Sequence, residues 1–269
     1  MTFSRFGLRR RQPASGIGRI YAVGDIHGHL DLFGELCRLI EEDIADRPPV
    51  SKVHMVLLGD LIDRGPDSRS LVQLSMRLAA ERRRITILKG NHEAALVDAW
   101  QGSFDALELW LEHGGDATLR SYGVDTAGLD PDDTFLWMRA LRDAVPGSEV
   151  QWMDRLPTCF DMNGYHFVHA GIRPGVRLNA QRDADRLWIR SEFTNSTKDH
   201  GAVVVHGHTI EADGVRILPN RIGVDTGAYR TGRLSAVILE EAEQRVIETR
   251  GADAAVSKRR GRSEAPAPS

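Results

Sequence analysis

An α/β fold wound around a largely parallel sheet is what this sequence predicts, and three observations predict it. Short β-branched or aliphatic runs alternate with helix-period patterns. Each run stops at a glycine turn that carries acids, amides or histidines. The composition, 41% hydrophobic and 27% charged, suits a chain that packs a core rather than one that stays disordered. Parallel sheets are wound in this order, and their ligands sit outside the carboxyl ends of the strands.

The elements follow in chain order. A strand at residues 20–23 leads into Gly24-Asp25-Ile26-His27-Gly28, and Leu32, Leu36, Leu39 and Ile40 then recur at helical spacing. A second strand at 53–58 leads into Gly59-Asp60-Leu61-Ile62-Asp63-Arg64-Gly65, followed by a helix bearing Leu71, Leu74, Leu78 and Ala79. The third, at 85–88, leads through Lys89 into Gly90-Asn91-His92-Glu93. A helix-rich segment of about 94–156 holds Trp100, Trp110, Trp137 and Trp152, which helical spacing reads mostly as core residues. Strands then return at 165–168, 202–205, 215–218, 234–239 and 245–249, and two of them end in His169-Ala170-Gly171 and His206-Gly207-His208.

Charge is unevenly spread. Residues 1–16 carry Arg5, Arg9, Arg10 and Arg11 with no acid, and residues 250–269 carry five bases against two acids. Taking this +4 and +3 from the overall −3 leaves −10 for the body, 17–249. An acidic body repels nucleic acid phosphates, so no nucleic acid partner is expected, and the basic ends read as disordered tails. The longest apolar runs fall far short of the ~18 residues that span a bilayer, so no membrane partner is expected. Arg9 and Arg10 precede no export-type apolar stretch, and residence in the cytoplasm is expected. Cys37 and Cys159 are far apart and read as core residues rather than disulfide or zinc partners. Oligomeric state is not legible.

The polar turns can hold metal. Asp25 and His27 lie two apart and face one side of an extended segment, so both can grip one ion. The Asp60 carboxylate has two oxygens and can bridge two. Asn91, His169 and His208 complete a second site, with His206 the alternative to His208. Oxygen and imidazole donors without thiolate suit Mn²⁺, with Fe or Zn²⁺ possible alternatives.

Gly-Asp-x-His-Gly, Gly-Asp-x-x-Asp-Arg-Gly, Gly-Asn-His-Glu, His-Ala-Gly and Gly-His-Thr, over roughly residues 19–240, resemble the calcineurin-like metallophosphoesterases. Within them the chain is most similar to the bacterial serine/threonine members of the phosphoprotein phosphatase family. The resemblance implies a four-layer α/β/β/α sandwich with a dinuclear metal site at the carboxyl ends of the strands. Asp25, His27 and Asp60 would hold one divalent ion and Asp60, Asn91, His169 and His208 the other, which selects His208 over a structural His206. The implied activity is protein serine/threonine phosphatase, acting on phosphoprotein or phosphopeptide by direct attack of metal-activated hydroxide on phosphorus.

Arg64 and Arg190, the latter in Leu187-Trp188-Ile189-Arg190, would clamp the phosphoryl oxygens, with Arg173 a third substrate-binding candidate. His92 would protonate the leaving alkoxide, Asp63 would orient it, and Glu93 would brace the turn. Asp130-Pro131-Asp132-Asp133-Thr134 fits an aspartyl-nucleophile signature, but no hydrophobic strand precedes it. It reads as a helix start with Asp130 as N-cap, Pro131 at the first turn, and Phe135, Met138 and Leu141 at helical spacing. Two other functions compete: a symmetrical diadenosine tetraphosphate hydrolase, and a non-catalytic interaction module on a phosphoesterase scaffold. The Asp63-Arg64-Gly65 and His92-Glu93 pairs favour the phosphatase over the first, and the complete ligand set disfavours the second.

Overall fold

The computed structural model describes residues 17–49, 51–81, 84–241 and 243–249, so the basic segments expected to be disordered tails lie outside the described residues. Strand β1 (Ile17–Val23), helix α1 (Leu30–Asp46), β2 (Lys52–Leu57), α2 (Ser68–Glu81) and β3 (Ile85–Ile87) form the expected alternation. Helices α3 (Asn91–Gln101), α4 (Phe104–Glu112), α5 (Gly115–Ser121), α6 (Thr134–Ala144) and α7 (Gly147–Asp154) make up the helical segment. The second half holds β4 (Cys159–Met162), β5 (Tyr165–Val168), the short helices α8 (Asp183–Trp188) and α9 (Ser191–Thr194), β6 (Val203–His206), β7 (Arg216–Ile217), β8 (Arg221–Gly223), α10 (Ala228–Thr231), β9 (Ser235–Glu240) and β10 (Glu243–Glu248).

Two five-stranded sheets result, ordered β10-β9-β1-β2-β3 and β4-β5-β6-β8-β7. The strands β1, β2 and β3 run parallel, as do β5, β6 and β8, whereas β9, β10, β4 and β7 pair antiparallel at the edges. The expectation of a largely parallel sheet therefore gives way to parallel centres with antiparallel hairpin edges. Sequence-adjacent antiparallel strands need only a short turn, so β10, β4 and β7 join their neighbours β9, β5 and β8 without a crossover helix.

The layering follows from β1 being buried on both faces, which is why it reads as a continuous apolar run. Tyr21 and Val23 pack outward under the helices with Leu36, Ile40, Leu71, Leu96 and Trp110. Ile20 and Ala22 pack inward against Phe167, Val205, Ile222 and Val224 of the second sheet. A smaller cluster, with Val168, Val204, Ile189 and Phe193, covers the far face. Helix, sheet, sheet, helix is the four-layer order expected.

Three local readings are corrected. The cap of α6 is Asp133, whose carboxylate accepts from the backbone N–H of Phe135 and Leu136 at 3.1 Å each, while Asp130 accepts from Asp132 N–H in the turn before it. With the helix starting at Thr134, Trp137, Met138 and Leu141 point inward and Phe135 is left 73% exposed. Strands β4 and β8 lie outside the strands that the sequence predicts, because each is only four or three residues long and carries a charged residue, Asp161 or Arg221. Cys37 and Cys159 are thiols only half-buried, with Cys37 packed at the margin of the outer core. Among the described residues no helix is long and apolar enough to cross a membrane.

Candidate metal centre and phosphate site

The carboxyl ends of both sheets' central strands meet at one place. Gly24 lies against the end of β8, where a Cβ would come within 2.9 Å of Val224 O, so only glycine allows the two sheets to close there. The turns that follow are bent hard. His27, Asp60, Asp63, Arg64 and His208 all have φ between 47° and 74°, and the only other described non-glycine residues with positive φ are the hairpin residues Asn163 and Glu241. A left-handed conformation costs of order 1 kcal/mol or more per residue, and such strain persists where the surroundings over-determine it.

Glu93, fully buried on the first turn of α3, supplies much of that determination. Its carboxylate accepts from the N–H of Gly90 (2.8 Å), Asp60 (3.0 Å), Leu61 (2.8 Å) and Ile62 (3.3 Å), so it braces two turns at once. Burial and the nearby Asp60 push its carboxyl up to about 7.

The metal-type donors converge as a shared cluster. Ligand atoms of His27, Asp60 and His92 lie within 4.8 Å of one another, and so do those of Asp60, His169 and His208, with Asp60 common to both groups. Asn91 Oδ1 stands 2.8 Å from His169 Nε2 and 2.9 Å from His208 Nδ1. His27 Nδ1–H donates to Ile62 O and His169 Nδ1–H to Leu58 O, both at 2.9 Å, which turns the lone pair of each Nε2 inward. Burial holds all three imidazoles below their usual range, to about 2 at His208, so they are neutral and able to ligate.

Asp25 joins the cluster differently from expectation: its Oδ2 accepts from His208 N–H at 2.9 Å, and its buried Oδ1 has no hydrogen-bond partner among the described residues. Burial, Asp225 and Asp60 raise its carboxyl well above the usual range. Lone pairs converging on lone pairs, an unsatisfied carboxylate oxygen and several buried carboxylates in close reach form a donor set that fits divalent cations.

Around the cluster stand the anion-binding and proton-handling groups. The Arg64 guanidinium touches His27 Nε2 and His92 Nε2 at 3.1 Å each and lies 4.2 Å over the Tyr229 ring. His92 Nδ1–H donates to Asp63 Oδ2 at 2.6 Å. Burial would lower the imidazole's proton affinity, but Asp60 and Asp63 outweigh it and raise it. Arg190 is exposed, its side chain makes no hydrogen bond or ion pair with any described residue, and it lies near enough to repel protons from His169, His208 and Asp225.

Arg173, expected as a third substrate-binding residue, is placed among acids instead. Its guanidinium is paired with Asp185 at 2.5 and 3.1 Å and with Glu192 at 2.9 Å, so its donors are already satisfied and it is not brought to the cluster. His206 contacts Gly207 O and Arg221 and belongs to neither donor group, in keeping with a structural role.

The chain matches the family model described as calcineurin-like phosphoesterase over residues 18–229. The chain belongs to the calcineurin-like phosphoesterases. Membership makes it a hydrolase of phosphoesters that works with divalent metal ions on phosphorylated substrates. Among curated relatives, it is 25% identical over 232 residues to serine/threonine-protein phosphatase 2 of Escherichia coli K12, covering 80% of this chain and 90% of that one. It is 23% identical over 248 residues to the asymmetrical bis(5'-nucleosyl)-tetraphosphatase PrpE of Bacillus thuringiensis, covering 82% and 90%. Among solved structures, a proposed diadenosine tetraphosphatase aligns with TM-score 0.59 at 22% identity, covering 88% of this chain and 96% of that one. A Saccharomyces cerevisiae protein serine/threonine phosphatase aligns with TM-score 0.50 at 14% identity, covering 87% and 80%.

Four further residues of this phosphoesterase's site escaped the sequence reading. Asp225 is buried beside Asp25 at the end of β8, its carboxyl pushed up to about 6 by burial despite a hydrogen bond from Gly227 N–H (2.7 Å). Gly223-Val224-Asp225-Thr226-Gly227 has the same strand-then-acidic-turn design as the recognised motifs, and that pattern was the available signal. Tyr229, Trp110 and Thr118 carried no local signal.

Proposed function

We propose that the chain is a protein serine/threonine phosphatase. Asp25, His27, Asp60, Asn91, His169 and His208 hold two divalent cations, with Mn²⁺ the favoured metal, and Arg64 and Arg190 clamp the phosphoryl group. When bound, such ions supply Lewis acidity and an activated water as nucleophile. The chain's own residues do the rest. Arg64 is anchored by its stack on Tyr229 and by donation from its Nε to His113 O at 3.3 Å, so its planar fork is held ready for phosphate oxygens. Arg190, with no acidic partner among the described residues, supplies a second fork from the segment between α8 and α9.

The observation that carries the reading is the His92–Asp63 pair. An alkoxide of serine or threonine leaves poorly without a proton, and His92 Nε2 lies beside the Arg64 fork while Nδ1–H is held by Asp63. The resemblance to the Escherichia coli phosphatase supports the same reading.

A second reading, dinucleoside tetraphosphate hydrolysis, is favoured by the Bacillus relative, whose name specifies asymmetrical rather than the symmetrical cleavage that the sequence brought forward. The two are separated by assaying a phosphoserine peptide, an aryl phosphate and diadenosine tetraphosphate, each with Mn²⁺ and with chelator. Preference for the peptide and loss under chelation are expected; preference for the tetraphosphate would replace the reading. Inactivity on all three with metal bound would leave the non-catalytic module.

A further inference from the structure

Asp63 is held from three sides. Its fully buried carboxylate meets His92 through Oδ2, accepts from Trp110 Nε1–H at 3.0 and 2.9 Å, and accepts from Thr118 Oγ1–H at 2.6 Å. Ser68 and Thr118 hydroxyls in turn accept from Asp63 N–H at 3.0 Å each, so the strained backbone at this residue is fixed along with its side chain. Trp110 sits on α4 and Thr118 on α5, both 0% exposed, so neither can touch substrate.

The corner between those helices also holds the phosphate clamp. Gly114 O accepts from Arg64 N–H at 3.1 Å, and a Cβ on Gly114 would press to 2.9 Å on the Arg64 side chain. A buried indole N–H needs a partner, but packing alone does not require that partner to be the carboxylate behind His92.

We propose that Trp110 and Thr118 are positioning residues for proton donation: they lock the Asp63 carboxylate in one orientation, so that His92 presents Nε2 to the leaving oxygen. The inference rests on the reading of His92 as the leaving-group acid. In the step it serves, the proton passes from Nε2 to the departing alkoxide as the phosphorus–oxygen bond breaks. The neutral imidazole stays on Asp63 through Nδ1–H. A carboxylate with one partner would be free to turn; two further donors remove that freedom, and loss of such outer partners typically costs about 10–100-fold.

The test uses Trp110→Phe, Thr118→Val and Thr118→Ser in the full-length metal-loaded protein, assayed on a phosphoserine peptide and on p-nitrophenyl phosphate, whose leaving group needs little protonation. Trp110→Phe and Thr118→Val are expected to lower kcat on the peptide at least about tenfold more than on the aryl ester, and Thr118→Ser to restore it. In a His92→Asn background, Trp110→Phe should add no further loss on the peptide, because the residue acts only through His92. Equal slowing on both esters, or losses that multiply with His92→Asn, would overturn the proposal. If His92→Asn discriminates between the esters and the other variants do not, the proposal alone fails. If His92→Asn slows both equally, the role of His92 falls and the proposal falls with it.

Discussion

Arg173 and Arg190 leave the same half of the chain with opposite roles. A guanidinium has five donors in a fixed plane, and once two carboxylates occupy that plane it has little left for phosphate. Arg173→Ala is therefore expected to change kcat/KM less than about threefold while loosening the loop it ties to α8 and α9. Arg190→Ala should lower kcat/KM by about 100-fold, the usual scale for removing one anion-stabilising donor. Steady-state kinetics on one phosphoserine peptide checks both, and a large loss in Arg173→Ala would return that residue to the substrate site. Arg64 differs from both in being anchored by backbone carbonyl, imidazoles and an aromatic face, so its loss should disturb His27 and His92 as well as phosphate.

At the scale of elements, α1 is tied to the first sheet by one acid. Asp43 accepts from Tyr21 OH at 2.6 Å and Arg19 at 3.0 Å, and pairs with Arg245 of β10. Arg19 itself is buried and also meets Glu240. Burial would raise the Asp43 carboxyl, but the bonds from Arg245 and Tyr21 prevail and hold it below the usual carboxylate range. A depressed folded-state pKa contributes stability above the unfolded value, and that contribution is lost as pH falls through the folded value. Asp43→Asn should therefore unfold about 1–3 kcal/mol more easily at neutral pH, with the gap to the parent closing in acid below about pH 4. Denaturant melts at several pH values would show it; a pH-independent gap would mean that shape rather than charge matters there. The helical segment illustrates the same dependence on partners: α4 and α5 are amphipathic helices by pattern, yet they also carry the indole and hydroxyl that reach Asp63.

Over the whole molecule, the cost of the site is electrostatic. Asp25, Asp60, Glu93 and Asp225 are buried together, and mutual repulsion as well as burial raises Asp25, Glu93 and Asp225. Cations offset that repulsion only in the folded protein, so binding is coupled to stability. Mn²⁺ at about 100 times its Kd should add ~2.7 kcal/mol for one site and raise Tm by about 5–10 °C. Gly90→Ala should abolish the rise, since a Cβ there would lie 2.1 Å from Asp60 Oδ1 and 2.3 Å from Asp60 N, displacing the shared ligand. Calorimetry with and without Mn²⁺ decides: an undiminished rise in Gly90→Ala would remove Asp60 from the metal set.

The α/β class, the five polar turns and most donors were determined by sequence, because each strand-turn motif is a local event. Its apolar run, glycine and acid or histidine lie within a few positions, and the turn's shape follows from them. What closes over distance was not. Asp63 meets His92, Trp110 and Thr118 across 29, 47 and 55 positions, and the pairing of Arg173 with Asp185 and Glu192 depends on α8 and α9 folding against it. Hydrogen bonds and ion pairs are short-ranged, so which donor finds which acceptor is decided only when the sheets and helices pack.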